Sequence, residues 1–329
     1  MMNKTQNKLL EVTLVRCFAV LTLVVHHTYC IYTGWGDVIN TPFDNAYAII
    51  MSFLIPDANM PLFTFLAGYL LYYQLQQGKY NDGKVFFRNK VHRLLIPYLI
   101  LGSIVVFLKY GADTSIKEVL YGAPNHLWFC LMLFYCYVIY WSVEKLLGSF
   151  VNACLAIISL AIITHVGSMW KMYYALHWPT GIEIAAYYYF FFYFGSICRK
   201  YKDFLFQSWY SIILFMLMYV SIDIPIVRMV VYSLLIFAIA EVIYPLIFKS
   251  ECANSILSKI AGCSFGIYVI HSIILWNISH YPPILKYTAP ILEGYYIAAP
   301  ILLFIIVFLI SWGLTELLLK TKVGRYLLA

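Results

Sequence analysis

Apolar positions along this chain gather into long runs separated by short polar stretches. A bilayer core takes about 20 mostly apolar residues per helix. Ten runs approach or exceed that length, at 10–32, 46–76, 94–110, 127–143, 150–166, 182–198, 204–222, 226–248, 262–279 and 295–319. They predict an all-α fold, a polytopic membrane helical bundle of about ten transmembrane helices. The seventh and eighth runs meet at Ser221-Ile222-Asp223-Ile224-Pro225 with almost no loop. The second is too long, at ~1.5 Å per residue, to cross once without a break. Ile55-Pro56-Asp57-Ala58-Asn59-Met60-Pro61 supplies one, because each proline removes a backbone donor and disfavours helix in the residue before it.

Polar residues inside the runs are the candidates for chemistry, since an ionisable group in hydrocarbon is costly unless it faces protein or water. Arg16 and His27 stand eleven residues apart in the first run. Eleven steps of about 100° bring them to one helix face, ~16 Å apart along the axis. They are either a functional pair or a snorkelling arginine with a histidine near the opposite end. Asp57 and Asn59 are expected near the depth of His27, as orienters of its ring or as parts of a plain proline kink. Ser264, Tyr268 and His271, at i, i+4 and i+7, form a narrow polar stripe on the ninth run that must face the bundle interior. That stripe is a hydrogen-bonded seam or a substrate surface. Glu241 and Glu316 either pair with Arg16 or line an inner vestibule. Asn125-His126-Leu127-Trp128-Phe129 opens the fourth helix, where a tryptophan ordinarily belongs to the interfacial belt.

Composition agrees with the pattern. The 329 residues are 63% hydrophobic and only 11% charged, with a mean hydropathy of +0.81, whereas soluble domains carry about 25% charged residues. The net charge of +7 does not imply a nucleic-acid partner, because the basic residues fall in short loops between apolar runs. With the N-terminus in the cytoplasm, 17 of the 22 lysines and arginines lie on the inner side and five on the outer. This positive-inside bias places both termini in the cytoplasm, Arg16 near that face and His27 near the other. The N-terminal run has a basic flank like a signal peptide but no clean small-residue cleavage site, so it reads as a retained first helix. Eight cysteines are scattered through the expected helices without paired spacing and read as small packing residues. No metal site is expected.

The loop at 77–93 is the most basic stretch of the chain. Arg88, Lys90 and Arg93 are expected at the membrane edge, facing the cytosol. They either set topology and attract anionic lipid or hold phosphates, for which arginine supplies a bidentate fork.

Five stretches in order resemble the membrane acyltransferase-3 family, bacterial integral-membrane O-acyltransferases of surface glycans. Arg16 and His27 match its Arg, ten residues, then His. Met60-Pro61-Leu62-Phe63-Thr64-Phe65-Leu66-Ala67-Gly68 is similar to its Pro-Leu-Phe-Phe-Phe-Leu-Ser-Gly. Arg93-Leu94-Leu95-Ile96-Pro97-Tyr98 is similar to the end of its basic loop, Leu127-Trp128-Phe129 to its Leu-Trp-Phe, and Ser264 through His271 to its Ser-Tyr-Gly-Ile-Tyr-Leu-x-His. The chain departs from the family at Ala67, where the family has serine, and in the basic loop, where Arg93 matches but its partner is Arg88 or Lys90.

The resemblance implies one membrane-embedded acyltransferase domain over 1–329 in a bacterial inner (cytoplasmic) membrane. Many members of the family carry a fused extracytoplasmic hydrolase-like domain, and no such fused soluble domain is expected here. It implies transfer of an acyl group, commonly acetyl, from cytoplasmic acyl-CoA through a membrane tunnel to a sugar hydroxyl of an extracytoplasmic glycan or lipid-linked glycan. His27 would act as general base or acyl carrier, with Asp57 and Asn59 beside it. Arg16, Arg88, Lys90 and Arg93 would bind acyl-CoA, while Trp128, Ser264, Tyr268, His271, Glu241 and Glu316 would line the tunnel or substrate site. Membrane lipid and the glycan acceptor are the expected partners, nucleic acid is not, and a homo-oligomer is compatible with the sequence. A transporter or flippase using Arg16 and His27 for substrate or proton binding is the alternative, although the inverted repeats common in carriers are not evident. A glycan polymerase or ligase would call for large arginine-rich outer loops, which the sequence lacks.

Overall fold

A computed structural model describes residues 9–32, 59–110, 119, 125–176, 178–206, 209–295 and 297–328. The regular structure of the described residues is helical, joined by short turns, with no strand among them. Seven helices among them are long and apolar enough to cross a membrane. These are α1 (Leu10–Cys30), the helical stretch containing α3 (Gly83–Lys90) and α4 (Ile96–Tyr110), α5 (Trp128–Leu146), α6 (Ser149–Val166), α11 (Pro225–Ile247), α12 (Glu251–His280) and α14 (Ala299–Lys320). The three other expected runs correspond to α2 (Asn59–Gln76), α8 (Ile182–Lys200) and α10 (Trp209–Ser221). Short helices α7 (Met169–Leu176), α9 (Lys202–Leu205), α13 (Pro282–Gly294) and α15 (Lys322–Leu328) complete the order. The run expected at 204–222 as one helix is divided, with α9 ending at Leu205 and α10 starting at Trp209.

The tyrosine-rich α8 and its partner α2 are less apolar than the other long helices because they face protein more than lipid. Their backbones touch. A Cβ on Gly68 would lie 1.8 Å from the Phe192 carbonyl oxygen, and one on Gly195 would lie 2.0 Å from that of Phe65. Each glycine thus permits the approach from its own side. Around this pair, Phe65, Tyr69, Phe191, Phe192 and Phe237 are fully buried. Phe107, Leu217, Val220, Leu302 and Ile306 point outward from other helices, as lipid-facing residues should.

Local sequence sets several ends. Asp82 caps α3 by accepting a hydrogen bond from the Lys84 amide at 2.8 Å, and Ser250 caps α12 through the Ala253 amide. Pro225 opens α11, where a missing N–H costs nothing. Between α3 and α4, Val91–Leu95 is a π-helical turn, closed by a bond from the Ile96 amide to the Val91 carbonyl. Pro97 offers no amide to the Arg93 carbonyl, and a widened turn relieves its clash with the preceding backbone.

Two expectations about charge are corrected by packing. Lys90 does not face the cytosol. It is 6% exposed, with Nζ 3.4 Å from the Tyr137 ring centroid, 5.2 Å from that of Tyr80 and 5.7 Å from that of Phe86. The helical phase of α3 turns it inward while Arg88 and Arg93 remain exposed. Glu241 does not pair with Arg16. Lys202 Nζ lies 2.6 Å from Glu241 and 3.1 Å from Glu11, tying α9 to α11 and α1. Burial works against the Lys202 ammonium, but its hydrogen bond to Glu241 and the charge of Glu11 hold its pKa above the ordinary lysine value. Glu316 is half-buried and makes no ion pair among the described residues.

Candidate active site

α1 carries Arg16 toward its Glu11 end and His27 toward the other. α12 packs along it and brings His271 to His27. His27 Nδ1 and His271 Nε2 are 2.7 Å apart, and the rings stack with centroids 5.0 Å apart. His271 is fully buried, and its Nδ1 lies 2.9 Å from the Ile267 carbonyl oxygen one turn back on the same helix.

That carbonyl only accepts, so His271 carries its proton on Nδ1. A neutral His271 then presents an Nε2 lone pair, to which His27 donates from Nδ1. The basic lone pair of His27 is left on Nε2, the ring atom directed away from the pair. A backbone carbonyl on α12 thereby sets the tautomer of a side chain on α1.

His126, in the 3-10 turn Asn125–Leu127, closes the other side. Its Nε2 lies 3.1 Å from the Val269 carbonyl, and the Tyr268 hydroxyl donates back to the His126 carbonyl. This reciprocal pair fastens the start of α5 to α12 beside His271, whose ring centroid is 6.1 Å from that of His126. His26 is next to His27, ring centroids 5.7 Å apart. The site therefore gathers four histidines and Tyr268 at one end of the bundle. Among the described residues no group of three His, Cys, Asp or Glu side chains is arranged to hold a metal ion.

Of the residues singled out from sequence, His27, Tyr268 and His271 come together. Asn59 does not reach the His27 ring. Its Oδ1 accepts from Thr22 Oγ1 at 3.0 Å, since α2 begins beside the middle of α1. Asp57 lies outside the described residues. Trp128 packs against Tyr188 and Trp170, at centroid distances of 5.5 and 6.1 Å, as an aromatic core residue. Ser264 is half-buried and makes no hydrogen bond among the described residues. His126 was not singled out from sequence. The available signal was a histidine immediately before the Leu127-Trp128-Phe129 stretch.

A second polar centre lies at the other end of α1. Arg16 and Arg93 are both within electrostatic reach of Tyr137, whose ring also covers the Lys90 ammonium. The Tyr137 hydroxyl donates to the Ala67 carbonyl at 3.4 Å. Arg16 makes no hydrogen bond or ion pair among the described residues. Three cations thus lie about one phenol, and none of them pairs with a carboxylate among the described residues. Arg88 is on the exposed side of the same short helix and outside this group.

The family model described as an acyltransferase domain, acyltransferase-3, matches residues 9–316. No curated protein matches. No solved structure matches.

Proposed function

We propose that this chain, which belongs to the acyltransferase-3 family and is a multi-pass membrane acyltransferase, moves an acyl group from acyl-CoA at the Arg16 end to a sugar hydroxyl at the His27 end. The observation that carries the reading is the His27–His271 pair, on the helix that also bears Arg16. Its fixed tautomer supplies an oriented base, and the ~16 Å between Arg16 and His27 suits a pantetheine arm laid along α1.

In the reaction, His27 Nε2 takes the acceptor hydroxyl proton as the oxygen attacks the thioester carbonyl. The carbon–sulfur bond then breaks and the proton passes to the leaving thiolate. The Nδ1–H bond to His271 stabilises the imidazolium formed between these steps. An acyl-imidazole on His27 Nε2 is the covalent route to the same product. Arg16, Arg93 and Lys90 attract the phosphates of coenzyme A, with Lys90 held rigidly under Tyr137 and Arg88 adding charge at the mouth. Acetyl-CoA is the proposed donor, reached from the cytoplasm of a bacterium. A polysaccharide or lipid-linked sugar outside the inner membrane is the proposed acceptor.

Purified protein in lipid vesicles, given acetyl-CoA labelled in the acetyl group and a glycan acceptor, tests this directly. Transfer or thioester hydrolysis is expected for the wild type and none for His27→Ala. Turnover by that variant at the wild-type rate would exclude His27 as base and as acyl carrier. Solute flux without thioester turnover would mark a carrier.

A further inference from the structure

Arg228 stands in the first turns of α11, over the ring of Tyr219 on α10, with its guanidinium carbon 5.5 Å from the ring centroid. One turn on, Tyr232 is 5% exposed. Arg228 Nε and the Tyr232 hydroxyl are both shut from solvent and lack a hydrogen-bond partner. No carboxylate reaches Arg228 among the described residues. The helix does not neutralise it either, because the first turn of α11 presents the positive end of the helix dipole. A cation set into a membrane protein in this way calls for an anion, and no described residue supplies one.

The depth of the cluster follows from two contacts between α1 and α11. Lys202 bridges Glu11 and Glu241, while the rings of Phe18 and Tyr232 are 6.4 Å apart. The helices are thus antiparallel, and Arg228 falls level with Thr22 to Val24, only ~6 Å along the axis short of His27. It is also near the membrane end of α11, at a depth that a lipid headgroup reaches.

We propose that Arg228, Tyr232 and Tyr219 form a binding site for the phosphate of a membrane lipid at the His27 end of the bundle. The guanidinium fork and the phenol donate to phosphate oxygens. The recognised chemistry is a phosphate ester on a lipid, supplied by an anionic phospholipid or by the carrier of a lipid-linked sugar. This binding does not depend on the acyl-transfer reading and is measured without turnover.

The full-length protein in detergent is titrated with phosphatidylglycerol, a polyprenyl phosphate, diacylglycerol or inorganic phosphate while its melting temperature is followed. A saturable rise is expected with one or both phosphate lipids and none with diacylglycerol. The apparent Kd should weaken about tenfold in Arg228→Met and about threefold in Tyr232→Phe, with Lys286→Met, at an exposed position, unchanged. Tighter binding of the polyprenyl phosphate assigns the site to a lipid carrier, and tighter binding of phosphatidylglycerol assigns it to the bilayer. Arg228→Lys, which keeps charge but loses the fork, should bind several-fold more weakly and serves, with Tyr232→Phe, if Arg228→Met does not fold. Unaltered affinity in these variants, an equal response to diacylglycerol, or a response to inorganic phosphate alone would overturn the proposal.

Discussion

His27 Nδ1 lies 2.7 Å from His271 Nε2, although 244 residues separate them in the chain. Because the Ile267 carbonyl fixes the proton of His271 on Nδ1, the pair has one neutral arrangement in which both bonds are made. His271 is therefore a positioning residue, and it can be separated from His27 by experiment. His271→Leu removes the acceptor for the His27 proton and should lower kcat about 100-fold, with KM for acyl-CoA little changed. His271→Gln, whose side-chain oxygen can accept the same proton, should recover part of that loss. Equal activity in the two variants would mean that only the volume of residue 271 matters.

Lys90 and Arg93, three residues apart, should respond differently to substitution. Arg93→Gln together with Arg88→Gln is expected to raise KM for acyl-CoA about tenfold or more at constant kcat, as loss of charge-assisted phosphate contacts would. Lys90→Met removes an ammonium pressed on three aromatic rings and should also cost about 1–2 kcal/mol of stability. Thermal melting in detergent with steady-state kinetics distinguishes the two effects. An unchanged melting temperature for Lys90→Met would show that the cage contributes nothing to folding.

Lys202 should prove more important to stability than to catalysis. Lys202→Met leaves Glu11 and Glu241 without their shared ion-pair partner and is expected to destabilise by about 2–4 kcal/mol. The sign with pH follows from the raised lysine pKa. This stabilisation is complete below the unfolded lysine value near 10.4 and is lost as pH rises through the higher folded one. Melting temperature measured from pH 7 to pH 11 should fall less steeply in Lys202→Met than in the wild type at the alkaline end.

Gly68→Ala and Gly195→Ala should each prevent α2 and α8 from meeting as they do, since the new carbon would overlap a carbonyl oxygen of the other helix. A loss of about 3 kcal/mol is expected, the upper end of overpacking costs. Expression level and elution profile report it. Gly262→Ala, at a position with nothing within 4 Å, is the control.

The sequence by itself determined the material of this protein. Long apolar runs in a chain with few charges compel helices, because backbone groups in hydrocarbon must bond within their own segment. Helical periodicity also placed Arg16 and His27 on one face, and Tyr268 and His271 on another. Such local rules reach only a few residues along the chain. That Glu241 answers Lys202 and not Arg16, that Lys90 turns inward, that Asn59 bonds Thr22, and that His126 joins the histidine cluster were decided by which helices pack together and in what register. No local pattern encodes that register. It follows from side chains meeting across the bundle, so the identity of the imidazole beside His27 became readable only once α1 and α12 lay side by side.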